Sequence, residues 1–212
     1  MLWFISSSIT NFGAKLISLL PHLNNYSQIL CEFYFKKNMI GSDKMNKYEK
    51  VFESDNIIYI KLSENLITEY LKMVNNPAIA KMISKNPIVY TPEQELVWVR
   101  KKLNQNALIF SMIERTTGEY IGNIEILSIN DNIGLIGISI TESKQDRHYG
   151  KESLKRIIEY GYEELNLDGF ELNVYSTNQR AIHCYEKIGF INVEPGKVCD
   201  DIHMVLKKWK SL

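Results

Sequence analysis

Residues 138–154, Ile-Ser-Ile-Thr-Glu-Ser-Lys-Gln-Asp-Arg-His-Tyr-Gly-Lys-Glu-Ser-Leu, constrain the fold more than any other segment. An apolar, strand-like run passes into a polar, basic loop, and the loop opens directly into a helix expected over 150–165. Leu154, Ile157, Ile158, Tyr162 and Leu165 form one stripe of that helix, while Lys155, Arg156, Glu159 and Glu163 lie off it. Packing the stripe on a sheet would fix the loop in place. The first turn of a helix leaves backbone N–H groups unpaired and carries the positive end of its dipole, so a pyrophosphate fits such a terminus. Gly150 permits close backbone approach, and Lys144, Arg147 and Lys151 add full charges. The competing reading is a plain strand–helix connection with surface charges. Neither a Walker loop nor the Gly-x-Gly-x-x-Gly dinucleotide fingerprint occurs.

The elements around this loop follow from periodicity. A β-branched run at 57–62 predicts a first strand, and 64–74 has helical spacing through Leu66, Ile67, Tyr70, Leu71 and Val74. A second helix begins at Thr91-Pro92-Glu93-Gln94, an N-cap, a first-turn proline and a capping box, and fades near Asn104. Strands at 107–114 and 119–127 flank the turn Arg115-Thr-Thr-Gly118, and a third follows at 133–140. After the long helix come a strand at 170–175, a short helix at 179–188 stopped by Gly189, and strands at 190–193 and 202–206. Helix-linked strands imply parallel pairing in the C-terminal half, and hairpins imply antiparallel pairing before it. The expected class is therefore α/β (α+β): a mixed, mostly antiparallel, seven-stranded sheet flanked by helices.

The loop Gln145-Asp146-Arg147-His148-Tyr149-Gly150 resembles the Gln/Arg-x-x-Gly-x-Gly/Ala signature of the GNAT (Gcn5-related N-acetyltransferase) superfamily. Residues 178–190, Asn-Gln-Arg-Ala-Ile-His-Cys-Tyr-Glu-Lys-Ile-Gly-Phe, are similar to its Asn-x-x-Ala-x-x-x-Tyr-x-x-x-Gly-Phe segment, and the element order agrees from about 55 to 206. Within the superfamily the chain most resembles the branch acting on ribosomal-protein N-termini and polyamines. The resemblance implies acetyl-CoA as co-substrate and a primary amine as acceptor, either a small amine or a peptide N-terminus. It implies that the pantetheine arm runs along the strand containing Ile138, Ser139 and Ile140, and that the diphosphate is held by Gln145, Asp146, Arg147, His148, Tyr149, Gly150 and Lys151. Asn178 would bond the pantetheine amide, and Tyr185 would protonate the leaving thiolate. One departure stands out. His148 occupies a family glycine position, and Asp146 adds a negative charge beside the phosphates. A GNAT-like module that binds acyl-CoA or a partner protein without turnover is the alternative function.

An alkylamine is mostly protonated near neutrality and needs a base. On its strand Glu125 alternates with Ile124 and Ile126 and shares a face with Asn123, which makes it the base candidate, acting directly or through a water. Glu142 and Asp131 are alternatives, as is a merely solvated Glu125. Gly134 and Gly137 would permit a bulge that opens the pantetheine strand, or would simply allow packing. Glu119, Glu125, Asp131 and Glu142 together would give an acidic rim for a cationic acceptor.

Lys plus Arg equals Asp plus Glu at 25 each, so no net field favours nucleic acid or an anionic membrane. The apolar stretches at 1–9 and 16–20 are too short to span a bilayer and follow no basic segment, so no membrane partner is expected. The polar run from Met45 reads as a natural start. Residues 1–44 are then an N-terminal extension of uncertain role, with a docked or membrane-touching helix as the alternative, and 45–212 form the acetyltransferase domain. Cys31, Cys184 and Cys199 are odd in number and widely spaced, which suits reduced thiols and a cytoplasmic protein. The pairs Cys199/His203 and His183/Cys184 supply too few ligands for zinc, so no metal is expected. A homodimer is compatible with the sequence.

Overall fold

The structure is a computed structural model and describes residues 48–195 and 201–207. The extension at 1–44, Cys31 and Cys199 lie outside the described residues.

Among the described residues a single sheet organises the fold. Its strands are β1 (Lys50–Glu53), β2 (Ile57–Lys61), β3 (Leu108–Glu114), β4 (Tyr120–Asn130), β5 (Ile133–Ile140), β6 (Gly169–Tyr175), β7 (Ile191–Pro195) and β8 (Asp201–Lys207). They lie in the order β1-β2-β3-β4-β5-β6-β8-β7. Eight strands replace the expected seven, because a short hairpin partner, β1, precedes β2. Among the described residues five α-helices flank the sheet: α1 (Ile67–Val74), α2 (Pro77–Ile83), α3 (Pro92–Asn104), α4 (Tyr149–Glu163) and α5 (Gln179–Glu186). The capping box of α3 is formed in full by Thr91 and Gln94.

Among the described residues only β5 and β6 pair in parallel. The helix-linked strands β6 and β7 run in the same direction, but they are not neighbours, because β8 inserts between them antiparallel to both. The expected parallel pairing in the C-terminal half is therefore confined to one junction.

Alternation sorts the side chains between two faces. Tyr59, Met112, Ile124, Phe170, Leu172, Val174 and Met204 join Leu154, Ile157, Ile182 and Tyr185 in the core beneath α4 and α5. Tyr59 donates to Ser153 of α4 across this core, at 3.2 Å. The opposite face carries α1, where the Tyr70 and Ser111 hydroxyls bond at 2.7 Å. Gly161 lets α4 press onto β6: a Cβ there would lie 2.4 Å from Cζ of Phe170.

Candidate active site

The parallel pairing of β5 with β6 covers only Ile133↔Gly169, Gly134↔Phe170 and Leu135↔Glu171. Beyond Leu135 the two strands fork, although β5 continues against β4 as far as Ile140↔Gly122. The Thr141 N–H bonds Ile121 O on β4 at 2.8 Å. By alternation Ser139 and Gly137 also turn their amides toward β4, Ile136 turns its own onto the last β6 pair, and Ile138 and Ile140 turn theirs toward the open side. The Ile140 carbonyl fits this parity, since it accepts from Gln145 Nε2 at 3.0 Å on that side. Of the expected pantetheine contacts, Ile138 and Ile140 thus offer backbone groups to the fork, whereas the Ser139 backbone is committed to β4. No bulge occurs at Gly134 or Gly137. The register slip lies opposite them, between Ile126 and Ser128 of β4. Gly134 instead makes room for Leu167 and Phe170, and Gly137 for Glu125.

The loop lies at the open end of the fork. Among the described residues, nothing accepts the backbone N–H groups of residues 146–151, which lead into the first turn of α4. Asp146 and His148 make the turn in the left-handed region, at φ 59° and 65°. That is why glycine suits position 148, and Asp and His are among the side chains that tolerate it best. The Asp146 charge is matched by Arg180 of α5 at 3.6 Å, and the same arginine donates to Gln145 Oε1 at 2.6 Å. A Cβ on Gly150 would only touch Ile140 Cδ1 at 3.4 Å, so packing within the protein does not demand glycine there. Arg147 and Lys151 are exposed beside the amides. Free amides, flanking cations and an open strand edge fit a coenzyme A thioester, with residues 146–151 toward its phosphates and Ile138 and Ile140 toward its arm.

Two expected contributors point elsewhere. Lys144 is buried and binds Glu114 at 2.8 Å and Glu119 at 2.5 Å, so its charge is spent beneath the loop. The Tyr149 side chain also turns inward, its hydroxyl donating to Glu114, and only its backbone faces the loop. Burial opposes the Glu114 charge, yet donation from Lys144, Thr117 and Tyr149 brings its carboxyl down to about 2. The expected acidic rim also fails to assemble. Glu119 serves Lys144, Glu142 accepts from Asn76 at 2.8 Å, and Asp131 sits in the β4–β5 turn at the other end of β5.

Asn178 caps α5, its Oδ1 accepting from the Ala181 N–H at 3.3 Å, which leaves its NH₂ to donate. Tyr185 is 8% exposed, and burial pushes its hydroxyl up to about 12. The Glu125 carboxyl lies across β5 above its cross-strand partner Gly137, where a Cβ would come 2.9 Å from Oε1. Burial raises its pKa, and Lys102 opposes that rise. It lines a cavity of about 240 Å³ with Lys102 and Ser128. Burial also pushes the Cys184 thiol up, which argues against a thiolate nucleophile. Among the described residues, no cluster of three or more His, Cys, Asp or Glu side chains is placed to hold a metal, and no helix is long and apolar enough to cross a membrane.

The sequence reading missed a pair. His203 on β8 stands 3.0 Å from Glu171 on β6, on the same face as Glu125. Only the pairing of β6 with β8 brings them together. Residue spacing held no signal for it.

A sheet forked at a parallel junction, with amides unpartnered among the described residues at the mouth of the fork, defines an α/β protein of acyltransferase architecture. The family model for the acetyltransferase (GNAT) domain matches residues 57–191, and the chain belongs to this family. It is 27% identical over 129 residues to spermidine N(1)-acetyltransferase of Vibrio cholerae, covering 60% of this chain and 73% of that protein. An uncharacterized protein of Methanocaldococcus jannaschii is 24% identical over 164 residues, which cover 74% of this chain but only 32% of that longer protein. A crystal structure of spermidine N-acetyltransferase from Vibrio cholerae, in complex with CoA and spermine, matches at a TM-score of 0.66 and 21% identity. That match covers 73% of this chain and 96% of the other, and it concerns the fold.

Proposed function

We propose that the protein transfers the acetyl group of acetyl-CoA to a primary amine by direct attack in a ternary complex. The acceptor is a protein N-terminus, a polyamine or a small amine, and the spermidine acetyltransferases among the relatives favour a polyamine. One observation carries the reading: the open edge of β5 ends one short turn before residues 146–151, whose backbone amides have no partner among the described residues.

The chain's own groups then have distinct tasks. Backbone N–H groups at the loop and on β5 bind the thioester and polarise its carbonyl. Glu125, drawn over Gly137, takes a proton from the amine directly or through a water. Tyr185 keeps its proton up to high pH and gives it to the departing sulfur.

Calorimetry and thermal melts with acetyl-CoA test the donor, and thiol release tests turnover with spermidine, a peptide bearing a free α-amine, and a simple alkylamine. Absence of acetyl-CoA binding overturns the assignment, and binding without thiol release favours a non-catalytic module. Tyr185→Phe is expected to lower kcat on the order of 10²-fold with little change in acetyl-CoA affinity. Equal turnover in that variant removes the acid role.

A further inference from the structure

His203 and Glu171 have no task in the scheme above. They line a cavity of about 170 Å³ with Ser128, Asn130, Leu135 and Asn173. The larger cavity beside Glu125 shares Ser128 with it.

The register locates the pair. Glu171 is the last residue of β6 paired with β5, so it stands at the vertex of the fork. Asn173 lies just past the vertex, and His203 is its partner on β8. Phe170, Leu172, Val174 and Met204 are buried toward α4 and α5, so Glu171, Asn173 and His203 occupy the opposite face. Glu125 looks out from that face on the β4–β5 bank, and the histidine pair looks out from the β6–β8 bank. Tyr185 comes from the other side of the sheet.

Two protons must leave the acceptor nitrogen. An alkylammonium has no lone pair, so the first must go before attack. The second goes as the C–N bond forms and the C–S bond breaks. A neutral imidazole whose one nitrogen donates to a carboxylate keeps a lone pair on the other, aimed by that bond. With Nε2–H of His203 donating to Glu171, Nδ1 is left as the acceptor, with no partner among the described residues.

We propose that His203, oriented by Glu171, is a second proton acceptor for acetyl transfer and takes the ammonium proton of the acceptor amine before attack; this rests on the acetyltransferase reading above. The neutral amine then attacks the thioester carbon, and the C–S electron pair goes to sulfur. Glu125 takes the proton shed by nitrogen, Tyr185 supplies one to sulfur, and exchange with water resets both. His203 returns its proton to solvent, so one ammonium and one thioester give one amide, one thiol and one released proton. Glu171 is a positioning residue. The other groups facing His203 are Asn173 on β6 and Asp201 two residues before it on β8; the register places residue 194 of β7 beside it. Ser128, Asn130 and Leu135 of β4 and β5 do not titrate.

The test compares wild type with His203→Gln, whose amide keeps a donor for Glu171 but accepts no proton. At pH 7, kcat/KM for an alkylamine is expected to fall on the order of 10²-fold. The loss should shrink toward nothing as pH approaches that amine's own pKa of about 10, and should be small at pH 7 for an acceptor already neutral there, such as an arylamine. Glu171→Gln should show the same pattern with a smaller loss. Acetyl-CoA affinity and melting temperature should stay unchanged in both variants. No loss, or an equal loss for both acceptors at every pH, overturns the role of His203. If wild type neither binds acetyl-CoA nor acetylates any amine, the acetyltransferase reading itself falls and takes this proposal with it.

Discussion

At position 148 an imidazole-bearing residue holds φ 65°, a conformation that costs an L side chain about 1–2 kcal/mol. Glycine would relieve that cost but would give back a comparable amount through its freer unfolded chain. His148→Gly should therefore change stability by less than about 1 kcal/mol in urea unfolding. His148→Val, β-branched in the same conformation, should lose on the order of 1–2 kcal/mol. The sequence marked His148 as a departure from the family loop. It held no sign that Asp146 adopts the same conformation, or that Arg180, in the first turn of a later helix, pairs with its charge. Glu114 was equally hidden, as an ordinary strand-end carboxylate. Its carboxyl falls from 4.5 to about 2 on folding, so it contributes stability above pH 4.5 that is lost as pH drops toward about 2. Glu114→Gln should remove on the order of 2 kcal/mol at pH 7, with Lys144 still held by Glu119. Acid-unfolding curves of the two proteins should converge near pH 2, and a constant gap would show that packing rather than charge is at stake.

Elements with a strong period or a complete cap were legible. The amphipathic stripe of α4 and the capping box of α3 appear where their residues predict them, and Gly189 ends the α5 segment at φ 111°. The strand β1 has four residues and buries only Phe52, too little for alternation to register. Helix α2 spans seven residues behind an Asn76 cap and Pro77, a start signal with no period long enough to follow it. Sheet order lies beyond local patterning altogether. The insertion of β8 between β6 and β7, which joins His203 to Glu171, is a long-range choice made by the buried residues Leu172 and Met204. The packing of α4 on β6 supports a direct test. Alanine is the better helix former by about 1 kcal/mol, yet a Cβ at Gly161 would meet Cζ of the fully buried Phe170 at 2.4 Å. Gly161→Ala should therefore destabilise by about 1–2 kcal/mol net of propensity, read as a lower denaturation midpoint with unchanged slope.

Across the sheet as a whole, β1–β5 and β6–β8 meet through three register pairs and then diverge. The outward amides of Ile138 and Ile140 face this gap, and the amides of residues 146–151 close its outer end. A thioester bound there would add a partner to β5 where β6 departs, and would link the strand, the head of α4 and the Arg180-bearing turn of α5. The formal net charge is zero, so attraction for the phosphates must be local to this loop rather than a property of the whole surface. At a hundredfold excess over Kd, acetyl-CoA should add about 2.7 kcal/mol of stability. Its effect on amide hydrogen exchange should be uneven: slowing at residues 138, 140 and 146–151, and no comparable local change in the β2–β3 ladder, whose amides already have strand partners. Stabilisation that leaves β5 exchanging at its free rate would mean that the ligand lies elsewhere and that the fork is only a feature of packing.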